Sequence, residues 1–319
     1  MRPAGGSLIA EIFSERQRGV ANGIFSWGVY IGYALSFLFG LYLTDMNLLG
    51  QGWRASFVLA GLPGLILSPA LLLISDPRTC QNNSSSERKV SLIINNNNKM
   101  ISTSPSYFRL ILRTFSTPVI MILFLAASTR HTAGFTWLRN NVAYFNHYHP
   151  TIDIGYWSII SAIIGGCVGV FSGGFISDLL VSSYGVHSRL WILGAATIIA
   201  SPFAFSTLYL DPPLAFITLL GYYFFAETWF SLLFTVLVEI VPDSIRSVSI
   251  GSFMFLMNNV GGNLPLIIDP LAKMPAMGLK TALYVSWPGL TGASGVLFLL
   301  SGLQLWRTSR KKNCEGDIS

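Results

Sequence analysis

Two charges, Arg130 and Glu227, fall deep inside long apolar stretches of the chain. A charge placed there is costly, so it either serves a function or is held by a partner. Glu227 offers a carboxylate able to carry a proton. Arg130 offers a fixed positive charge with a planar donor fork, suited to a phosphate or a carboxylate. The plainer alternative is that the two pair with each other and merely hold two helices together; residue type does not choose between these arrangements. Around Glu227, the residues Tyr223, Glu227, Ser231, Thr235 and Glu239 recur every four positions and form one polar stripe of a helix. Further on, Asn258, Asn259 and Asn263 bracket Gly261-Gly262. Asn259 and Asn263 share a face, which suits either the polar groups of a ligand or hydrogen bonds between helices. His147 and His149 form an HxH near Asp153, a spacing that exposed loop histidines produce far more often than metal sites do. No nucleophile motif, Walker loop, GxGxxG or zinc pattern occurs. Cys80, Cys167 and Cys314 are too far apart to suggest a metal set or a disulfide framework. The chemistry available is binding, so neither an enzyme, a metal site nor a cofactor is expected.

The elements that position these residues follow from composition. Of 319 residues, 52% are hydrophobic and 11% charged, against about 25% charged in a soluble domain. Too few charges remain to coat a water-facing globule, which excludes a soluble enzyme, a nucleic-acid binder and a disordered chain. A hydrocarbon core about 30 Å thick needs roughly 20 apolar residues per helix. Eight stretches qualify: 19–43, 54–75, 117–138, 155–177, 190–208, 214–241, 247–269 and 283–306. They read as helices because backbone groups in lipid must be satisfied within the segment. Within the fourth stretch, Ser161, Gly165, Gly169 and Gly173 form a small-residue stripe for close packing.

The net charge of +6 is distributed unevenly. Only Arg54, Arg130, Arg139, Lys273 and Lys280 lie outside or in the outer halves of spans if residues 14–18 are inside. The inner segments then hold most of the Lys and Arg, including Arg16, Arg18, Arg109, Arg113, Arg189, Arg246 and the tail from Arg307 to Lys312. The positive-inside rule therefore places residues 76–116 and the C-terminal tail in the cytosol. The 76–116 segment, with its Asn and Ser runs, reads as a flexible connection. It leaves two spans before it and six after.

Several inner-loop motifs add to this. Arg16-Gln17-Arg18-Gly19 runs into Asn22-Gly23 and Gly28-x-x-x-Gly32. Gly173-Gly174-Phe175-Ile176-Ser177-Asp178 is followed by Gly185 and Arg189. Trp53-Arg54-x-x-Phe57 precedes Gly61-Leu62-Pro63-Gly64, and Pro242-Asp243-x-x-Arg246 joins two later spans. In this order, on alternate inner loops, they resemble the major facilitator superfamily and, within it, the Spinster-like branch of lysolipid and sphingolipid transporters.

The resemblance covers nearly the whole chain and implies an all-α membrane protein with the major facilitator fold. Residues 19–43 and 54–75 correspond to family helices 5 and 6, and the six later spans to helices 7 to 12. Residues 1–13 would end helix 4, and helices 1 to 3 would be missing, so a truncated, eight-helix form is expected. Residues 1–75 are then the remnant of the N-terminal half, 76–116 a cytoplasmic linker, 117–308 the C-terminal half and 309–319 a tail. Arg130 and Glu227 fall on helices 7 and 10, which line the family's central cavity. Asp178 and Arg189 resemble the loop that latches the cytoplasmic side, although Leu179 stands where a base is usual; Asp243 and Arg246 are further gate candidates. The implied partners are the bilayer, a small or lipid-like solute such as a lysophospholipid or sphingoid phosphate, and protons if transport is coupled to them. A second expectation is a truncated, non-transporting partner of a longer form. The location is an integral, multi-pass one, in either a plasma or an endolysosomal membrane.

Overall fold

The computed structural model describes residues 9, 12–14, 16–44, 46, 52–69, 105–267, 270 and 278–316. Every regular element among them is helical: α1 (Arg18–Phe37), continued by a π-helical turn at Leu38–Leu43; α2 (Trp53–Leu67); α3 (Pro105–Phe115); α4 (Pro118–Tyr148); α5 (Ile154–Ile160), passing through a π-helical Ser161–Cys167 into α6 (Val168–Tyr184); α7 (His187–Tyr209); α8 (Leu214–Ala226); α9 (Thr228–Ile240); α10 (Arg246–Asn263); α11 (Gly278–Tyr284), passing through a π-helical Val285–Gly289 into α12 (Leu290–Gly316).

Local signals explain several boundaries. Pro118 occupies the first turn of α4, where its missing N–H costs nothing. Asp153 accepts from the Tyr156 N–H at 3.3 Å and caps α5, the role in which the structure finds it beside the HxH. Among the described residues no group of His, Cys, Asp or Glu could hold a metal ion. Gly185, with φ of 83°, ends α6 in a conformation a side chain would resist.

Among the described residues, six helices are long and apolar enough to cross a membrane: Arg18–Leu43, Pro118–Tyr148, Ile154–Tyr184, His187–Tyr209, Leu214–Ile240 and Gly278–Arg310. Two of the eight expected spans are not among them. Helix α2 is a shorter apolar helix, and residues 70–75 of the expected span lie outside the described residues. Helix α10 reaches Asn263 and continues as a 3-10 turn to Ile267, but Arg246 and three asparagines dilute its apolarity. The third span runs ten residues past its expected end, since Arg139 to Tyr148 continue the same helix. Helix α3 also occupies the end of the segment read as a flexible connection; the rest of that loop, residues 76–104, lies outside the described residues.

By contacts the chain forms two compact units, residues 1–34 with 114–319, and residues 35–113. In the second, α2 packs on the Leu38–Leu43 turn, where Ser56 Oγ donates to the Phe39 carbonyl at 3.0 Å. In the first, α12 packs against both α4 and α7, α10 against α4, α8 against α7, and α6 against α9. Its interior includes Trp137 stacked on Trp287 at 3.8 Å, with Tyr222 edge-on to the latter.

The helix that runs from the π-helical Ser161–Cys167 segment through α6 is held by two glycine faces. On one, a Cβ at Gly165 would lie 2.7 Å from Tyr223 Cβ, one at Gly169 would strike the Phe224 carbonyl, and one at Gly173 would lie 2.7 Å from Thr228. On the other, Gly166 meets the Tyr30 ring and Gly174 meets the Gly19 carbonyl. Such close approach is how helices associate in lipid, where hydrophobicity does not drive them together. Gly28 and Gly32 have nothing within 4 Å, so their GxxxG spacing makes no contact among the described residues. Gly169→Ala is accordingly expected to destabilise the protein by about 1–3 kcal/mol, an overpacking cost. Gly28→Ala should be neutral or stabilising. Apparent melting temperatures of the two purified variants check this, and equal values would contradict it.

Candidate functional site

Helices α8 and α9 form one membrane-crossing segment broken at a single residue. α8 ends at Ala226, α9 begins at Thr228, and Glu227 between them has φ −83° and ψ −6°. The break turns the Ala226 carbonyl and the Glu227 carboxylate toward the same cation on α4. Arg130 Nη2 donates to the Ala226 carbonyl at 3.0 Å and to Glu227 Oε1 at 3.3 Å. Its guanidinium carbon lies 5.3 Å from the Trp229 ring centroid and 5.8 Å from that of Tyr222, one ring from each side of the break. Both give cation–π attraction to a charge removed from water. Glu227 Oε2 is taken by Tyr30 of α1, whose hydroxyl donates to it at 3.0 Å and lies 3.3 Å from the Glu227 carbonyl. One carboxylate thus joins three segments.

The partners differ in access. The Arg130 side chain is 1% exposed and that of Glu227 16%. Arg130 Nε has no hydrogen-bond partner among the described residues. Arg130 is therefore only partly hydrogen-bonded, and the carboxylate is the more exposed member of the pair.

A second cluster lies further along the same stripe. Arg189, fully buried at the start of α7, donates from Nε and Nη2 to the two oxygens of Glu239 at 3.0 and 3.1 Å. Its Nη1 donates to Ser177 Oγ and Asp178 Oδ1, each at 2.8 Å. Asp178 in turn accepts the Gly19 N–H at 2.9 Å and the Val20 N–H at 2.8 Å. These belong to the first turn of α1, whose N–H groups lack partners within the helix and whose dipole favours an anion. Arg18 Nη1 adds a second cation 4.0 Å from Glu239. Two arginines and two carboxylates so fasten the start of α1 to α6, α7 and α9, with Arg189 the partner of Asp178.

Between the clusters, Asn22 Nδ2 donates to Thr235 Oγ1 at 2.9 Å. The stripe therefore runs antiparallel to α1: Glu227 meets Tyr30, Thr235 meets Asn22, and Glu239 meets Arg18. Ser231 is fully buried on it with no partner for its hydroxyl among the described residues. Tyr223, half-buried, packs on Gly165.

The other candidates stand apart. Asn259 and Asn263 are exposed, and their amides donate to carbonyls of their own helix, Phe255 and Asn259, at 2.8 and 2.7 Å; among the described residues they join neither cluster and cross-link no helices. Asp243 and Arg246 pair with each other, and Arg246 Nε donates to the Val238 carbonyl at 3.0 Å. Residue-by-residue reading missed Tyr30, because an aromatic on an apolar helix reads as packing. It also passed over Asn22, although a lone amide in such a helix is itself a signal.

Six apolar helices of spanning length among the described residues define an integral, multi-pass membrane protein. The sequence profile of the Major Facilitator Superfamily matches residues 1–264, and the chain belongs to that superfamily, whose members are transporters rather than enzymes. No curated protein matches the chain.

Proposed function

We propose that the protein moves a lipid-like organic anion, a lysophospholipid or a sphingoid phosphate, by alternating access coupled to protons. Arg130 is the anion-binding group and Glu227 the proton site. The Spinster-like order of inner-loop motifs supports the substrate class. The observation that carries the reading is the single carboxylate at the α8–α9 break, shared by Arg130 and Tyr30. A proton on Glu227 removes the charge that Arg130 faces and loosens the hold on α1 in one event. Arg130 is then free to take an anionic headgroup, with Trp229 and Tyr222 beside it. The Asp178–Arg189–Glu239 cluster closes the cytosolic side, and Asp243–Arg246 braces the adjoining turn. On this reading residues 1–75 belong to the N-terminal half, 76–116 to a cytosolic linker and 117–308 to the C-terminal half.

The test is uptake of labelled sphingoid phosphate and lysophospholipid by vesicles carrying the protein, measured across a range of pH. Wild-type uptake should depend on pH, and Glu227→Gln should flatten that dependence. A Glu227→Gln variant that keeps the wild-type profile would remove Glu227 as the proton site.

A further inference from the structure

Helix α3 is two-sided. Arg109 and Arg113, four residues apart, share one face and are exposed; Ile111 and Phe115, also four apart, share the opposite face and are partly covered. Leu112, half-exposed, lies at the border between the two. No helix among the described residues packs extensively on α3. Neither arginine forms an ion pair among the described residues, and the sequence offers no acid nearby. Between Glu87 and Asp153 no Asp or Glu occurs, whereas Arg88, Lys89 and Lys99 precede the helix. Arg113 stands in the last turn, where the helix dipole favours a cation. Arg109, one turn earlier, has no such offset and meets Arg113 as a like charge at i,i+4, an unfavourable pair. The helix is also tethered to the bilayer. Only Ser116 and Thr117 separate it from membrane-crossing α4, and Thr117 closes that turn by donating its N–H and its hydroxyl to the Thr114 carbonyl at 3.2 and 2.7 Å.

We infer that α3 lies in the headgroup layer and binds anionic phospholipid, with lipid phosphates on Arg109 and Arg113 and Leu112 at the acyl boundary. A basic face opposite an apolar one is the pattern of a helix that lies in the interface rather than across it. A run of bases without acids, next to a membrane span, attracts anionic lipid. An acidic protein would answer the arginines but would leave the exposed Leu112 and the two-residue tether without a role. The positive-inside reading makes this the cytosolic leaflet, which is the one that carries such lipid. The inference is independent of what the protein transports.

The probe is phosphatidylserine with a diazirine high on its acyl chain, compared with phosphatidylcholine bearing the same chain, on the purified full chain in lipid nanodiscs. The two leaflets of a nanodisc are alike, so the result does not depend on orientation. Phosphatidylserine is expected to label residues 109–115 about thirtyfold more, the ratio equivalent to about 2 kcal/mol for two basic residues at an anionic surface. Arg109→Gln and Arg113→Gln should each lower the ratio to about fivefold, and the two together to about one. Arg109→Lys with Arg113→Lys should keep it, and Leu112→Glu should reduce labelling by both lipids. Equal labelling of the wild type overturns the inference and leaves the arginines to an acidic protein. A preference that survives the double glutamine variant overturns it too. So does absence of label from α3 with either lipid, which would show that another part of the chain covers the helix.

Discussion

Replacing Arg189 by methionine is expected to be among the most damaging single changes in the first unit. The side chain is fully buried and donates to two carboxylates and a hydroxyl. Methionine fills much of the volume but leaves Asp178 and Glu239, 5% and 3% exposed, facing each other without their shared cation. Breaking a buried ion pair by removing one partner costs about 3–5 kcal/mol. Arg18, at 4.0 Å from Glu239, is too distant to replace both bonds. Arg189→Lys should fall between wild type and methionine, since an ammonium cannot bridge two carboxylates as the fork does. Neutralising Glu239 together with Arg189 should recover part of the loss. Thermal unfolding of the purified variants measures the series. An Arg189→Met variant as stable as wild type would show that the cluster does not hold α1.

The second large effect concerns transport rather than folding. Arg130→Gln and Glu227→Gln each keep groups that can hydrogen-bond, and in the latter variant Arg130 retains the Ala226 carbonyl and two aromatic faces. Both variants should reach the membrane at near-normal levels. Each should lose about ten- to hundredfold in uptake, the equivalent of a hydrogen bond to a charged group at about 1.5–3 kcal/mol. If Arg130 is the anion site and Glu227 the proton site, as proposed, the double variant should remain inactive, because neither site returns. A pair that merely ties α4 to the α8–α9 break behaves oppositely: single changes impair folding, and the double change restores folding and uptake together. Recovery of uptake in the double variant would leave only the structural role.

The buried charges were legible because Arg130 and Glu227 stand out against long apolar stretches, and the expense of a charge there holds in any fold. The every-fourth-residue stripe around Glu227 was legible for the same reason. Its use was not, since periodicity identifies a face but not the helix opposite it. The break at Glu227 had no local signal: Phe225-Ala226-Glu227-Thr228 contains neither Gly nor Pro, and the interruption coincides with contacts to Arg130 and Tyr30 that lie far away in sequence. Asn259 and Asn263 misled because an amide can satisfy its donors on its own helix. Helix α3 was hidden inside a polar loop, where composition averaged over forty residues masks a short amphipathic run.

The antiparallel row between α1 and α9 constrains how these helices can move. Its teeth are chemically unlike: phenol on carboxylate, amide on hydroxyl, guanidinium on carboxylate. If α1 ratcheted by one turn, Asn22 would come opposite Ser231 and Ser26 opposite Glu227, pairs that can still hydrogen-bond, but Arg18 would come opposite Thr235 and lose its carboxylate. Sliding by a turn therefore costs the ionic tooth and the two Asp178 bonds to the Gly19 and Val20 N–H groups, whereas a row of identical small residues would permit it. The end at Arg18 is the most firmly held, because Asp178 accepts from the Gly19 and Val20 N–H groups beside it. Helix α1 is thus a strap pinned hardest at its first turn, with the single Tyr30 hydroxyl on Glu227 as the lighter hold further along.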